Sequence, residues 1–391
     1  MTVSALLSCL TPRQATGQFS EGPVQMHGFF SQGYAISDHN NYLTMNTSRG
    51  ASMSDGGLNL TWTVNPKLRV GAQVYSRYIG ELGKGRVSFD WALADYRFRD
   101  WLGFRIGKVK TPLGLFNDTQ DQEFLYTWAL LPQSVYPLDL REMTNAHSGA
   151  DVYGSLGAKR AGVFSYQLYA GKLPSDYRTG YLYGIQDSGF KNVTYSARTA
   201  GYDLRWTTPV QGMTAGFSQM FSQRHLAGEL AALPIHLSAV SYMMRQSALY
   251  LEWNRGRWRL DAEYRASKTL TRIFGLPPNR SQTGQISPSW FTALSYRVSE
   301  RLEVGAYRSQ YLYHPLFTPP LVLTGPGANH IHDTTATVRL DLTRNWNFKI
   351  EGHFIDGFGN VLAIRGFYPH NNRQGLLPTT NMLILRTGIN F

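Results

Sequence analysis

Leu58-Asn59-Leu60-Thr61-Trp62-Thr63-Val64-Asn65-Pro66-Lys67-Leu68-Arg69-Val70-Gly71-Ala72-Gln73-Val74-Tyr75 is the stretch that decides the fold. Leu58, Leu60, Trp62 and Val64 alternate with Asn59, Thr61 and Thr63. A tight turn at Asn65-Pro66-Lys67 follows, and Leu68, Val70, Ala72 and Val74 return against Arg69, Gly71, Gln73 and Tyr75. Successive side chains of a strand point to opposite faces, so this hairpin has one greasy face and one polar face.

The same unit recurs down the chain. Val87, Phe89, Trp91 and Leu93 share a predicted face before a turn at Arg99-Asp100, with Leu102, Phe104 and Ile106 after it. Tyr202, Leu204 and Trp206 precede Thr208-Pro209, and Leu249, Leu251 and Trp253 precede Arg255-Gly256. Val338, Leu340 and Leu342 lead into Arg344-Asn345, then Trp346, Phe348 and Ile350. The pattern predicts sixteen strands, near 24–34, 55–64, 68–79, 86–98, 102–111, 150–158, 162–171, 197–207, 212–222, 247–254, 257–268, 288–298, 302–313, 332–343, 346–357 and 379–391. Leu237 to Gln246 has the parity of the strand after it and reads as either its extension or loop. Short turns alternate with long polar links near 35–54, 80–85, 112–149, 172–196, 223–246, 269–287, 314–331 and 358–378. Long loops gathered at one end, an even strand count and alternating faces are the marks of an all-β transmembrane antiparallel barrel with short periplasmic turns and long extracellular loops.

Composition agrees. Aromatic residues make up 13% of the 391, with 23 Tyr and 9 Trp, and only 16% are charged. No run approaches the roughly 18–20 apolar residues of a spanning helix, which leaves a closed barrel as the way to satisfy backbone groups in lipid. The net charge of +12 raises a nucleic-acid partner, but Lys and Arg recur singly at alternate strand positions and form no basic run, so none is expected. Cys9 is the single cysteine and excludes a disulfide framework. Val3 to Leu10 with Ala15-Thr16-Gly17 reads as a truncated signal peptide over 1–17, leaving one barrel domain over 18–391. The likeness of Leu6-Leu7-Ser8-Cys9 to a lipoprotein processing site reads as chance.

Leu383, Leu385, Thr387, Ile389 and the terminal Phe391 occupy alternate positions and end on an aromatic. This resembles the C-terminal signature by which bacterial outer-membrane proteins are recognised for insertion. His27-Gly28-Phe29-Phe30-Ser31-Gln32-Gly33-Tyr34 resembles the first strand of proteobacterial porins. Arg105-Ile106-Gly107-Lys108-Val109-Lys110-Thr111-Pro112-Leu113-Gly114 resembles the porin segment carrying the fifth strand into the third external loop. The resemblance to Gram-negative 16-stranded porins implies that this loop, near 112–149, folds into the lumen and narrows it. It implies a homotrimer too, although the second external loop, near 80–85, is short for the latch that porin trimers use. Bilayer lipid and lipopolysaccharide are the implied surroundings.

With the apolar parity toward lipid, Arg69, Arg77, Arg105, Arg205, Arg257, Arg259, Arg265, Arg297, Arg339, Lys349 and Arg386 fall on the inner wall. Basic rings favour anions in a pore. Asp118, Asp121 and Glu123 on the third loop would oppose them and set a transverse field across the constriction. Each arginine has a structural alternative, pairing with Asp203, Asp261, Glu263, Asp341 or Glu351 and bracing the wall. Tyr195, Trp258, Trp290 and Trp346 read as interface aromatics, with a sugar-stacking slide as the alternative. The expectation is therefore a passive channel for small polar solutes with weak anion preference, without catalytic residues, cofactor or metal. His330-Ile331-His332-Asp333 has a ligand-like spacing but reads as a solvated loop edge. An outer-membrane lipid hydrolase, for which His147-Ser148 and His353 are weak candidates, and a plugged structural or adhesin barrel are the competing readings.

Overall fold

Alternating sequence becomes a closed wall. The computed structural model describes residues 19–391 apart from 82, 159, 178–179, 188, 231–234, 276–279, 318–324, 360–371 and 373–374. The expected signal segment, 1–17, lies outside the described residues. The first eight strands are β1 (Val24–Ser37), β2 (Ala51–Asn65), β3 (Leu68–Ile79), β4 (Val87–Arg99), β5 (Leu102–Lys110), β6 (Ala146–Ala158), β7 (Gly162–Lys172) and β8 (Phe190–Thr207). The second eight are β9 (Met213–Leu230), β10 (Ile235–Arg255), β11 (Trp258–Phe274), β12 (Arg280–Arg297), β13 (Leu302–Leu312), β14 (His330–Asp341), β15 (Trp346–Gly357) and β16 (Thr379–Asn390). Each pairs antiparallel with the next, and β16 pairs with β1 to close a ring of sixteen among the described residues. Short extended segments at Phe19–Glu21 and His314–Pro315 add to its rims.

Closure is completed by the last residue. Gly28 and Phe391 exchange both backbone hydrogen bonds, at 2.8 and 2.9 Å, and the Phe391 ring lies where a Cβ on residue 28 would sit. A larger residue there would displace the Phe391 ring. Leu383, Leu385, Ile389 and Phe391 all project outward and are exposed.

The outer face is apolar along most strands: Leu58, Leu60, Trp62, Val70, Phe104, Ile106, Leu168, Leu204, Leu249, Leu294, Val338 and Ile350 are all exposed. A soluble protein would not leave so many large apolar groups in water, and a bilayer removes them from it. Aromatics crowd the short-turn end, where Phe164 stacks flat on Trp206 with ring centroids 5.7 Å apart and Trp258 meets Tyr296 at 4.5 Å. Trp346 joins this set, and Trp290 shares the outward face nearer the long-loop end, opposite Gln310. Tyr195 does not, because it shares the inward parity of Ala197 and Thr199.

Three expectations are corrected. Trp91 and Leu93 do not share a face with Val87 and Phe89, because Gln73 pairs with Trp91 while the next residue, Val74, pairs with Phe89. Asp90 is the extra residue of this β-bulge, which flips the parity after it and turns the carboxylate inward. Secondly, 190–196, 223–230, 235–246, 269–274 and 280–287 are strand rather than loop. A membrane crossing needs only about 9–11 tilted residues. The 21-residue β10 therefore continues past the bilayer, where its outward face carries no apolar demand and its polar sequence reads as loop. Thirdly, the inner face is not uniformly polar, since Phe29, Tyr75, Tyr169, Tyr250, Phe291 and Tyr307 point inward and are buried. What buries them is the third long loop.

Candidate functional site: a loop docked in a basic lumen

β5 ends at Lys110, followed by Thr111 and Pro112, and a proline cannot donate to the next rung of a ladder. The chain leaves the wall and crosses the lumen. Leu113 packs on Tyr169 and Met220. Leu115, Phe116, Tyr126, Trp128, Leu131, Val135 and Tyr136 then form one cluster with Tyr250, Phe291 and Tyr307 of the opposite wall. Trp128 meets Tyr307 edge-on at 5.1 Å. Burial contributes about 1.5–3 kcal/mol for each large apolar side chain, so this cluster is the main anchor of the loop. The first long loop also tucks inward, placing Tyr42, Leu43 and Met45 against Leu130, Ile331, Ile355 and Met382.

A loop buried this way carries backbone groups that need partners. Wall cations supply them. Lys349 Nζ donates to the carbonyls of Glu123 and Trp128, both at 2.9 Å, and forms an ion pair with the Glu123 carboxylate. Arg339 donates to Phe124 O at 2.9 Å and Tyr126 O at 2.7 Å. Arg386 donates to Ala129 O at 2.7 Å while pairing with Asp55. Arg339, Lys349 and Arg386 are successive cross-strand neighbours, so three strands present a basic ladder to residues 123–129. Arg265 donates to Leu113 O and Val135 O, and Arg77 to Leu138 O. Carboxylates hold the loop amides: Glu351 accepts from Ala129 N and Leu130 N, and Glu263 from Leu115 N.

The eleven predicted wall residues thus divide. Arg77, Arg265, Lys349 and Arg386 are buried beneath the loop and brace it. Arg257 sits in a turn, exposed, donating to Val298 O at 3.2 Å. Arg69, Arg105, Arg205, Arg259 and Arg297, with the less exposed Arg339, line the lumen toward the short-turn end. Their partners are Asp95, Asp203, Glu252, Asp261, Glu303 and Asp341. The guanidinium is generally the more exposed partner, 52% against 5% in Arg69–Asp95 and 31% against 9% in Arg205–Asp203. A solute in this vestibule meets the cations first.

The three acidic loop residues divide as well. Asp121 is buried and accepts from Gln73 at 2.6 Å and Lys110 at 2.7 Å, and Glu123 is held by Lys349. Asp118 is half-buried and acts electrostatically on Arg205. Sequence reading missed the pin that fixes the far end of the loop. Arg141 reaches both oxygens of Asp90 at 3.0 Å, and Lys110 and Asn145 share that carboxylate. The bulge that turns Asp90 inward leaves no mark in the alternation.

Asp139, in the 3₁₀ turn Leu138–Met143, is fully enclosed, and burial pushes its carboxyl up to about 7. A carboxyl raised in the docked state favours docking at low pH, and that contribution is lost as pH rises from about 4 to 7, by about 1.4 kcal/mol per unit. Protection factors of residues 138–143, measured exchange rates corrected for the base-catalysed intrinsic rate at each pH, are therefore expected to fall across that window. Asp139→Asn should flatten the dependence; a wild-type profile already flat between pH 4 and 7 would contradict it.

The hydrolase candidates are not arranged for attack. Thr111, His147 and Asp151 form a hydrogen-bonded chain of 3.0 and 2.7 Å, but all three are buried. Ser148 points to the opposite, lipid-facing side from His147. His353 is enclosed by Asp333, Glu351 and Thr335.

No family model matches the sequence, and no curated protein matches it in sequence. The fold does have solved counterparts. The outer-membrane OmpT of Vibrio cholerae superposes with a TM-score of 0.59 at 10% identity, over 96% of this chain and all of that one. OmpF of Salmonella typhi gives 0.57 at 10% identity, over 94% and 97%. An anion-selective porin of Comamonas acidovorans gives 0.55 at 12% identity, over 94% and 99%. The chain has the fold of the Gram-negative outer-membrane porins.

Proposed function

We propose that this protein, folded as the porins are, is an outer-membrane channel for passive diffusion of small polar solutes with a weak preference for anions. The observation that carries the reading is the vestibule of guanidinium groups, most of them more exposed than the carboxylates that pair with them. Near such a wall a cation is repelled at distances shorter than the screening length, about 8–10 Å at physiological salt. No chemistry on the solute is part of the reading. The apolar belt meets bilayer lipid and the long-loop rim meets lipopolysaccharide. A homotrimer belongs to the same proposal, and chemical crosslinking in detergent would detect it.

Reconstitution in a planar bilayer under a salt gradient tests the reading. Discrete conductance steps with a reversal potential on the anion side are expected; a cation-side potential would refute the preference. A second reading, the plugged barrel, is favoured by the two apolar clusters that tie the first and third loops to the wall. It predicts a silent wild type that conducts once the third loop is released.

A further inference from the structure

His330 and His332 stand two residues apart on β14, so their side chains share one face. That face is the outward one, and Asp356 of β15 lies directly across from His332. The Asp356 carboxylate oxygen Oδ2 is 3.5 Å from His330 Nε2 and 3.4 Å from His332 Nδ1. The two imidazole centroids are 4.8 Å apart, and one ligand atom from each of the three residues falls within 4.8 Å of the others. The group sits at the long-loop end, beyond the exposed Phe354, where the apolar belt gives way to water.

Two further features hold it in this form. Asn329 Oδ1 is 3.0 Å from His330 Nδ1 and can accept a hydrogen bond from it, which leaves Nε2, the nitrogen facing Asp356, as the one free to bind an ion. An outer partner of this kind is the usual companion of a metal-binding imidazole. Gly357, at φ +91°, lies against His330; a Cβ there would press on the His330 carbonyl and come within 2.6 Å of its ring.

We propose that His330, His332 and Asp356 form a surface site for a divalent transition-metal ion of the zinc, nickel and copper class. Two nitrogens and one carboxylate oxygen suit those ions, whereas magnesium and calcium take oxygen ligands. Ligands bound at about 2.0–2.1 Å in tetrahedral geometry lie about 3.4 Å apart. The carboxylate already stands at that separation from each imidazole nitrogen, and rotation of the two half-buried rings closes the remaining gap. Water completes the coordination of an ion with three protein ligands on an open face. The sequence suggested Asp333 as the neighbouring carboxylate, but Asp333 points inward and is bonded to His353. The ligand comes instead from the adjacent strand.

Titration of the full-length protein in detergent micelles with Cu²⁺ or Zn²⁺, followed calorimetrically and by electron paramagnetic resonance for Cu²⁺, tests the site. Wild type should bind one ion tightly, with splitting from two imidazole nitrogens. His332→Ala and Asp356→Asn should each weaken binding by about tenfold or more, while His39→Ala, on the first long loop, should not. Far-UV circular dichroism confirms that each variant keeps its barrel. Wild-type protein that binds neither ion, a Cu²⁺ spectrum lacking imidazole splitting, or Asp356→Asn and His332→Ala variants as tight as wild type would overturn the proposal.

Discussion

Lys349→Met is expected to accelerate chymotryptic cleavage between residues 123 and 130 by about two orders of magnitude or more while the barrel stays folded. The Lys349 ammonium is the ion-pair partner of the buried Glu123 carboxylate and donates to two loop carbonyls. Removing one partner of a buried pair costs about 3–5 kcal/mol, because the other charge is left unpaired. Proteolysis through a rapidly reclosing opening follows the population of the open form, and 3 kcal/mol corresponds to about two decades. The cluster members outside this stretch, Leu115, Phe116, Leu131, Val135 and Tyr136, keep the rest of the loop docked while the stretch bearing Leu125, Tyr126 and Trp128 opens more often. Adding Glu123→Gln removes the stranded charge and should restore part of the protection. Unchanged cleavage in the single variant would show that the ladder does not hold the loop.

Replacing Arg69, Arg205 and Arg259 together by Gln is expected to move the reversal potential through zero to the cation side. Each change removes a positive charge and leaves a carboxylate, Asp95, Asp203 or Asp261, with less or no compensation. Three lost cations shift the balance of the wall toward its remaining carboxylates, Asp95, Glu252, Glu303 and Asp341 among them, so the sign of the vestibule changes rather than its strength alone. The same replacement at Arg257, which lies in an exposed turn, should leave selectivity as it was. A triple variant with wild-type anion preference would place the selecting residues elsewhere.

The parts of this molecule that lipid constrains were legible in its sequence. Leu58, Leu60 and Trp62, or Leu383, Leu385 and Ile389, alternate because one side must dissolve in hydrocarbon, and every predicted strand occupies part of an observed one. Where lipid ends, the signal ends, which is why the outer reaches of β8 to β12 read as loop. Parity says which face a residue takes, not what covers it. Arg69 and Arg77 share one face of β3, yet one is half exposed and the other lies under the third loop. The inward Asp90 was hidden for a different reason: a bulge adds one residue to a strand without altering its composition.

The third loop spans the lumen to the opposite wall, and a disulfide between loop and wall measures that directly. Ser134 Oγ of the loop lies 3.0 Å from Ser309 Oγ of β13. In a Cys9→Ser background, Ser134→Cys with Ser309→Cys should crosslink nearly completely under mild oxidation, in protein that still folds and inserts. Two cysteines that remain free and react fully with a water-soluble thiol reagent would mean that the loop lies outside the lumen.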